Sequence, residues 1–491
     1  MNHKLIPEFA VLGHPNEGKS SVVSTLTEDD SVIISPTPGE TRKCRSFPVF
    51  IDGKEVICFT DTPGFQVPQK SLEWFRNYSG PANEIVQQFI FDHRNTKDFQ
   101  DECELFAPIA RGAGIIYVAD GSRPVRRDDR AEMEILRLTA RPRMAIINAK
   151  DTHSDYSEEW KNEFRKNFNI IRVFNAHHAT YKERISLLSS LKGIDQEWEA
   201  ALENVITAFK MDWDHRNHLT AGLITDLLAV CLTHKTTRTI SGNTMEKEEK
   251  TRLQNVYKEE LLANEKKTHE KIRKLFKHNV FHVEFPPHSI LTQDLFSEKT
   301  WQMLGLTKGQ LVAAGAAFGG AAGVMIDIAT VGHSLGLFAA VGSAFGAGSA
   351  LFGSQQMAKA KVVGLPVGGY QITVGPNRNI QFMYVLLDRA LLYYSQVIHW
   401  THGRRGYPGI HTDLLNAKNR KQGFTAQFTD ESRQACNLFF REIQKKDTGR
   451  RETAKQKMQG IIKPFLEQHT MFSLPEKTNK ISNGSSYISV I

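Results

Sequence analysis

Cysteine is scarce in this 491-residue chain: Cys44, Cys58, Cys103, Cys231 and Cys436 lie far apart, with no CxxC pair. That spacing argues against a disulfide framework or a cysteine-built zinc site, and suits a reducing, cytosolic compartment. The first residues hold no charged segment followed by a long apolar one, so a secretory leader is not expected. Compositional extremes are missing too. With 40% hydrophobic and 24% charged residues the chain is an ordinary folded protein, and its length suggests roughly three domains. The net charge of +8 is too mild at this length to select a partner. The most telling shortage is local: residues 309–358 carry one formal charge, Asp327, among Gly, Ala and large apolar residues.

Residues 1–192 alternate between strand and helix patterns. Apolar runs at 7–13, 114–119, 144–147 and 170–174, a hairpin of 47–50 and 55–60 across Asp52-Gly53, and a helix at 130–138 predict βαβ units. From 193 the periodicity becomes helical, at 195–211, 219–232 and a charge-dense amphipathic helix over 245–278. A hairpin across GPNRN within 371–382, an apolar helix at 382–401 and a basic helical stretch at 441–457 follow. The expected organisation is an α/β domain at 1–192, a helical domain at 193–300, a Gly/Ala-rich apolar hairpin at 301–360, a hairpin-plus-helix domain at 361–470 and a loose tail at 471–491.

The apolar segment divides near 330–334 into two arms of about 20 residues, long enough for helices to cross a bilayer. Gly315, Gly319 and Gly323, then Gly342 and Gly346, repeat at four-residue spacing, which lets two helix backbones approach closely. A helical hairpin inserted in or associated with the inner membrane is expected. A buried Gly/Ala hairpin packed on the C-terminal helices is the alternative.

The chemistry lies at the front. Gly13-His14-Pro15-Asn16-Glu17-Gly18-Lys19-Ser20 fits G-x-x-x-x-G-K-[ST], after a strand and opening a helix. In that arrangement backbone N–H groups cradle phosphates, Lys19 reaches the β- and γ-phosphates, and Ser20 coordinates magnesium. Asn16, Glu17, Gly18, Lys19, Ser20 and Ser21 are thus candidate nucleotide-binding residues. Asp61-Thr62-Pro63-Gly64 ends a strand, placing a carboxylate for magnesium and the Gly64 N–H toward the γ-phosphate. Asn148 and Asp151 follow another strand, where a carboxylate accepts two hydrogen bonds from guanine that adenine cannot donate. Asn175 and Ala176 follow the last strand, with a backbone N–H for the guanine carbonyl.

These motifs, in this order, resemble the G domain of the Era/TrmE-like bacterial P-loop GTPases, over about two fifths of the chain. Pro38-Gly39-Glu40-Thr41-Arg42-Lys43 resembles that branch's switch-one motif, Pro-Gly-Thr-Thr-Arg-Asp. The resemblance implies GTP and GDP as ligands, magnesium held by Ser20, Thr41 and Asp61, and catalysis involving Lys19, Thr41 and Gly64. It also implies a potassium ion beside Asn16. Phe65 stands where many regulatory GTPases carry a water-orienting glutamine, which implies slow turnover without potassium, a partner or pairing of two G domains. The chain departs from the family at Asn148-Ala149-Lys150-Asp151, where Asn-Lys-x-Asp is usual and Lys150 stands one place late. It departs again in the long interval 65–111, where an extra helix is expected near 83–91. The C-terminal part resembles an uncharacterised region that follows such G domains in a group of bacterial proteins.

A GTP-hydrolysing switch coupled to a membrane-associated helical region is therefore expected. The alternatives are an Era-like RNA- or ribosome-associated GTPase and a scaffold that binds GTP without turnover. Gly403-Arg404-Arg405-Gly406 copies the GxxG loop of KH modules, but its flanks lack their β-α-α pattern. The pairs His177/His178 and His399/His402 lack the carboxylates or cysteines of a metal site.

Overall fold

The computed structural model describes residues 6–28, 43–51, 53–149, 155–176, 179–240, 247–277, 295, 326–330, 361–362, 365–366, 370–399 and 423–471. Thr41, Lys150, Asp151, the GRRG loop and most of the Gly/Ala-rich segment lie outside them.

The N-terminal sheet has six strands: β1 (Glu8–Leu12), β2 (Arg45–Ile51), β3 (Lys54–Asp61), β4 (Gly114–Asp120), β5 (Arg143–Asn148) and β6 (Ile170–Phe174), in the order β2-β3-β1-β4-β5-β6. All neighbours are parallel except the β2–β3 hairpin. The central strands are apolar throughout because both faces are covered; Phe9, Val11, Ile116 and Val118 face one side, Ala10, Leu12, Ile115 and Tyr117 the other. Around the sheet lie α1 (Lys19–Thr27), α2 (Pro68–Asn77), α3 (Ile85–His93), α4 (Gln100–Ala110), α5 (Arg127–Leu138), α6 (Ser157–Phe164) and α7 (Tyr181–Leu191). The interval after Gly64 holds three helices, α2 to α4, and the extra helix expected near 83–91 is α3. They close on an aromatic cluster of Phe65, Phe75, Phe89 and Phe106, with Trp74 against Phe89 at 5.1 Å.

Beyond the sheet, α8 is one helix of 38 residues, Gln196–Thr233, where the periodicity predicts two. The polar residues that interrupt the pattern do not break the helix, because they are buried against partners: Arg216 pairs with Glu28 at 2.9 Å, and Asn217 Oδ1 accepts from Tyr394 at 2.8 Å. The first half of α8 (Trp198, Leu202, Val205, Phe209) completes the core over β1 and β4. Its second half joins α9 (Lys247–Leu275), α10 (Ile380–Ile398), α11 (Asp430–Ile443) and α12 (Thr448–Met471) in a separate helical core.

Two expectations in the C-terminal part are corrected. Residues 326–330, assigned by composition to a helical arm, form strand β8 (Ile326–Thr330), with Asp327 opposite Thr373 in the register. The GPNRN segment is not a hairpin turn. Strand β11 (Tyr370–Val374) lies between β8 and β7 (Thr236–Ile240), and the following loop runs straight into α10, capped by Asn379 Oδ1 accepting from Gln381 N at 2.9 Å. Gly375 allows this turn: at φ +96° its Cβ would lie 2.4 Å from the His234 carbonyl oxygen. A short ladder of β9 (Lys361–Val362) and β10 (Leu365–Pro366) completes the strands. Among the described residues no helix is long and apolar enough to cross a membrane.

Candidate functional site

The site forms where β1, β3, β4, β5 and β6 end on the same side of the sheet. β1 leads into a loop that starts at Gly13 and ends at Gly18, the N-cap of α1. Both glycines have positive φ, and neither tolerates a Cβ: at Gly13 it would lie 2.2 Å from the Val118 carbonyl, at Gly18 2.2 Å from Asn148 Nδ2. Asn16 also has positive φ, 67°. Lys19 is buried, and its ammonium donates to the carbonyls of Gly13 at 3.2 Å and His14 at 3.0 Å, on the inside of its own loop. Burial lowers its pKa, while Asp61, Glu132 and Glu17 oppose that shift.

Ser20, from the first turn of α1, donates to Asp61 Oδ2 at 2.7 Å, joining the phosphate loop to the end of β3. Asp61 Oδ1 is buried and has no hydrogen-bond partner among the described residues. Burial raises the Asp61 pKa, against the Ser20 hydrogen bond and the Lys19 charge. A hydroxyl beside a buried carboxylate with an unused oxygen is a donor set that fits a hard divalent cation such as magnesium. Ser21 is buried behind the loop.

Asn148 ties three loops together. Its Nδ2 donates to the Glu17 carbonyl at 3.0 Å, and its Oδ1 accepts from Ala176 N at 3.3 Å. The Ala176 carbonyl in turn accepts from Thr25 of α1 at 3.1 Å. Phosphate loop, β5 end and β6 end are thereby fixed relative to one another, with Asn175 and Ala176 beside Asn148. The predicted residues Asn16 to Ser21, Asp61, Gly64, Asn148, Asn175 and Ala176 thus gather at one end of the sheet. Gly64 lies against Pro15, whose Cδ would be 2.6 Å from a Cβ.

Several groups here are not readable from the motifs. The Glu17 carboxylate turns behind the loop to the Arg123 guanidinium, at 2.5 and 2.7 Å, and accepts from Asp120 N. Arg123 also grips Asp129 with two bonds of 2.7 Å. Burial raises the Glu17 pKa and Arg123 pulls it back. The one available clue is an acidic residue inside a loop built for a polyanion, which requires a cation nearby. His14 Nδ1 lies 3.1 Å from Glu132 on α5, and that hydrogen bond raises the His14 pKa. Phe65, placed by its motif in the region of a water-orienting side chain, is instead buried edge-on to Phe106 with centroids 5.9 Å apart. Gln66 follows it, exposed, with Nε2 donating to the Gly64 carbonyl at 3.2 Å. Among the described residues no group of His, Cys, Asp and Glu suits a separate metal site.

Residues 8–149 match the family described as 50S ribosome-binding GTPase, and residues 161–466 match the family described as Domain of unknown function (DUF3482). GTPase Der of Aromatoleum aromaticum is 23% identical over 202 residues, covering 41% of this chain and 40% of the relative. GTPase Der of Agathobacter rectalis is 41% identical over 129 residues, covering 25% of this chain and 29% of the relative. The chain therefore spans less than half the length of these relatives. A crystal structure of an Aquifex aeolicus Era variant bound to GDP·AlF4− aligns over 55% of this chain and 88% of that one, with 15% identity and a TM-score of 0.25. The N-terminal part is similar to the P-loop domain of Der and Era GTPases, and the chain, with well over half its length matched, belongs to the DUF3482 family.

Proposed function

We propose that the protein binds and hydrolyses GTP, and that the state of its nucleotide is passed to the helical region. The observation that carries this reading is the convergence of Lys19, the Ser20–Asp61 pair and the Asn148 bridge at one end of the sheet. On nucleotide binding, the Lys19 ammonium exchanges its two loop carbonyls for phosphate oxygens, and the loop N–H groups hold the remaining charge. Ser20, Asp61 and Thr41 would hold magnesium, which supplies charge neutralisation at the phosphates. Asp151 selects guanine, and a backbone N–H of the loop after β6 meets the guanine carbonyl. Water adds to the γ-phosphorus while the bond to the β,γ-bridging oxygen breaks. The electron pair stays on GDP and the water proton leaves with the phosphate. Thr41 and Gly64, ordered by the γ-phosphate and released afterwards, form the switch.

Calorimetry with guanine and adenine nucleotides tests this reading. GDP is expected to bind at least tenfold more tightly than ADP, and Lys19→Ala to lose most of that affinity; equal affinities for the two bases would overturn it. Turnover in potassium against sodium tests the ion expected beside Asn16, and turnover of any kind excludes a non-hydrolysing scaffold.

A second reading, membrane coupling, is supported by the nearly uncharged composition of 309–358; the strand at Ile326–Thr330 confines it to the residues on either side. An RNA- or ribosome-associated role is favoured instead by the family described as 50S ribosome-binding GTPase. Carbonate-resistant sedimentation with membranes would support the first, co-sedimentation with ribosomes the second.

A further inference from the structure

Helix α4 bonds to described residues next to both segments that a γ-phosphate would order, Cys44 after the first and Gln66 and Val67 in the second. Glu102, fully buried, accepts through Oε1 from Gln66 N at 2.8 Å and Val67 N at 2.6 Å. These N–H groups begin two residues after Gly64. Two positions along the same helix, Glu104 Oε1 accepts from Cys44 N at 2.8 Å, and the Glu104 carbonyl accepts from Cys44 Sγ at 3.1 Å. Cys44 lies three residues after Thr41 and opens the path into β2. One helix therefore holds the backbone at the exit of the first switch and at the root of the second.

Helix capping accounts for only half of this. Val67 is the N-cap of α2 and makes no side-chain cap of its own, so a carboxylate from α4 usefully satisfies its N–H. Glu104 caps nothing; it grips a residue between a loop and a strand. The anchoring beneath the pair is stiff, because Phe106 of α4 packs against Phe65, Phe75 and Phe89. With Phe65 drawn into that cluster, the backbone of Gly64 and the amide of Gln66 are the groups left at the turn.

We propose that Glu102 and Glu104 are positioning residues: α4 fixes the backbone at Cys44 and at Gln66–Val67, so that Gly64 meets the γ-phosphate at little further entropic cost. This rests on the GTPase reading above. It gives the 65–111 interval a task, the supply from within the chain of order that switches otherwise gain from the nucleotide or a partner. Among the described residues, neither carboxylate bonds to the phosphate loop or to the base-side loops. GDP, lacking a γ-phosphate, does not depend on them.

The test uses the full chain with Glu102→Ala, Glu102→Gln and Glu104→Ala, measuring affinity for GDP, affinity for a non-hydrolysable GTP analogue, and kcat. The expected result is GDP affinity within about twofold of the unsubstituted protein, with roughly tenfold losses in analogue affinity and kcat for the alanine variants. Glu102→Gln, which keeps an acceptor oxygen, recovers part of the loss. Equal losses for GDP and the analogue would mark Glu102 and Glu104 as merely structural and overturn the proposal, as would unchanged kcat in all three. Should Glu102→Ala fail to fold, Glu104→Ala and Glu102→Gln decide on the same criteria. An unsubstituted protein that binds no guanine nucleotide overturns the GTPase reading itself, a failure distinct from unchanged kcat in an active enzyme.

Discussion

Two buried side chains show how far environment moves the chemistry of single residues. Asp388 of α10 accepts from Thr425 N at 2.8 Å and Thr425 Oγ1 at 2.9 Å, and burial raises its pKa from 3.8 to about 7. Gly423 leaves room for it, since a Cβ there would be 2.1 Å from Asp388 Oδ2. The folded state holds this proton more tightly than the unfolded chain. Its contribution to stability is therefore complete below about pH 4 and lost as the pH rises to about 7. Denaturant unfolding from pH 4 to 8 should show Asp388→Asn gaining stability relative to the unsubstituted protein as pH rises; parallel curves would refute this. The Cys44 thiol is pushed up to about 12 by burial and by Glu104. Its alkylation by iodoacetamide at pH 8 should be about a thousandfold slower than for an ordinary thiol, read by mass spectrometry of the folded protein. Neither shift was legible in the sequence, because each depends on a partner far along the chain. The residues of the phosphate loop were legible, because their spacing is itself the geometry.

At the scale of elements, the sheet strands were readable because continuous apolar runs between glycine and asparagine turns have few alternatives. β6 occupies the residues its pattern suggests, Ile170–Phe174. The periodicity splits the long helix α8 in two for a physical reason: Arg216 and Asn217 look like a polar interruption until Glu28 and Tyr394 supply their partners. Local capping at α7 is a cleaner signal. Thr180 accepts from Glu183 N at 3.3 Å while Glu183 Oε2 accepts from Thr180 N at 2.7 Å, closing a capping box at the start of the helix that carries Arg184. Thr180→Ala should cost about 1 kcal/mol in chemical denaturation, and Thr180→Ser much less. Equal losses in the two variants would show that the hydroxyl is not what holds that end.

Across the whole molecule, the two cores meet around one carboxylate. Glu28, at the end of α1 and directly before the first switch, is buried among Arg184 of α7, Arg216 of α8 and, at 3.4 Å, Lys277 after α9. Arg184 also lies over the Phe209 ring, and Trp213 stacks on Tyr181 at 4.1 Å. Removing the carboxylate strips the buried Arg184 of its carboxylate partner and leaves the buried Arg216 only the more exposed Asp212. Glu28→Ala should cost about 3–5 kcal/mol. Scanning calorimetry should then resolve separate transitions for the sheet and the helices, where the unsubstituted protein gives one; a single transition at the original temperature would refute the link.

Because α8 belongs to both cores, its first turns roof Phe9 and Gly114, with Trp198 so close that a Cβ at Gly114 would lie 2.5 Å from its ring. Cutting the chain at residue 192, where the composition changes, would unroof the central strands and leave a wide greasy scar on the excised half. A well-behaved isolated nucleotide-binding fragment has to run through Phe209, and a longer one inherits Arg216 and with it the far half's grip on Glu28.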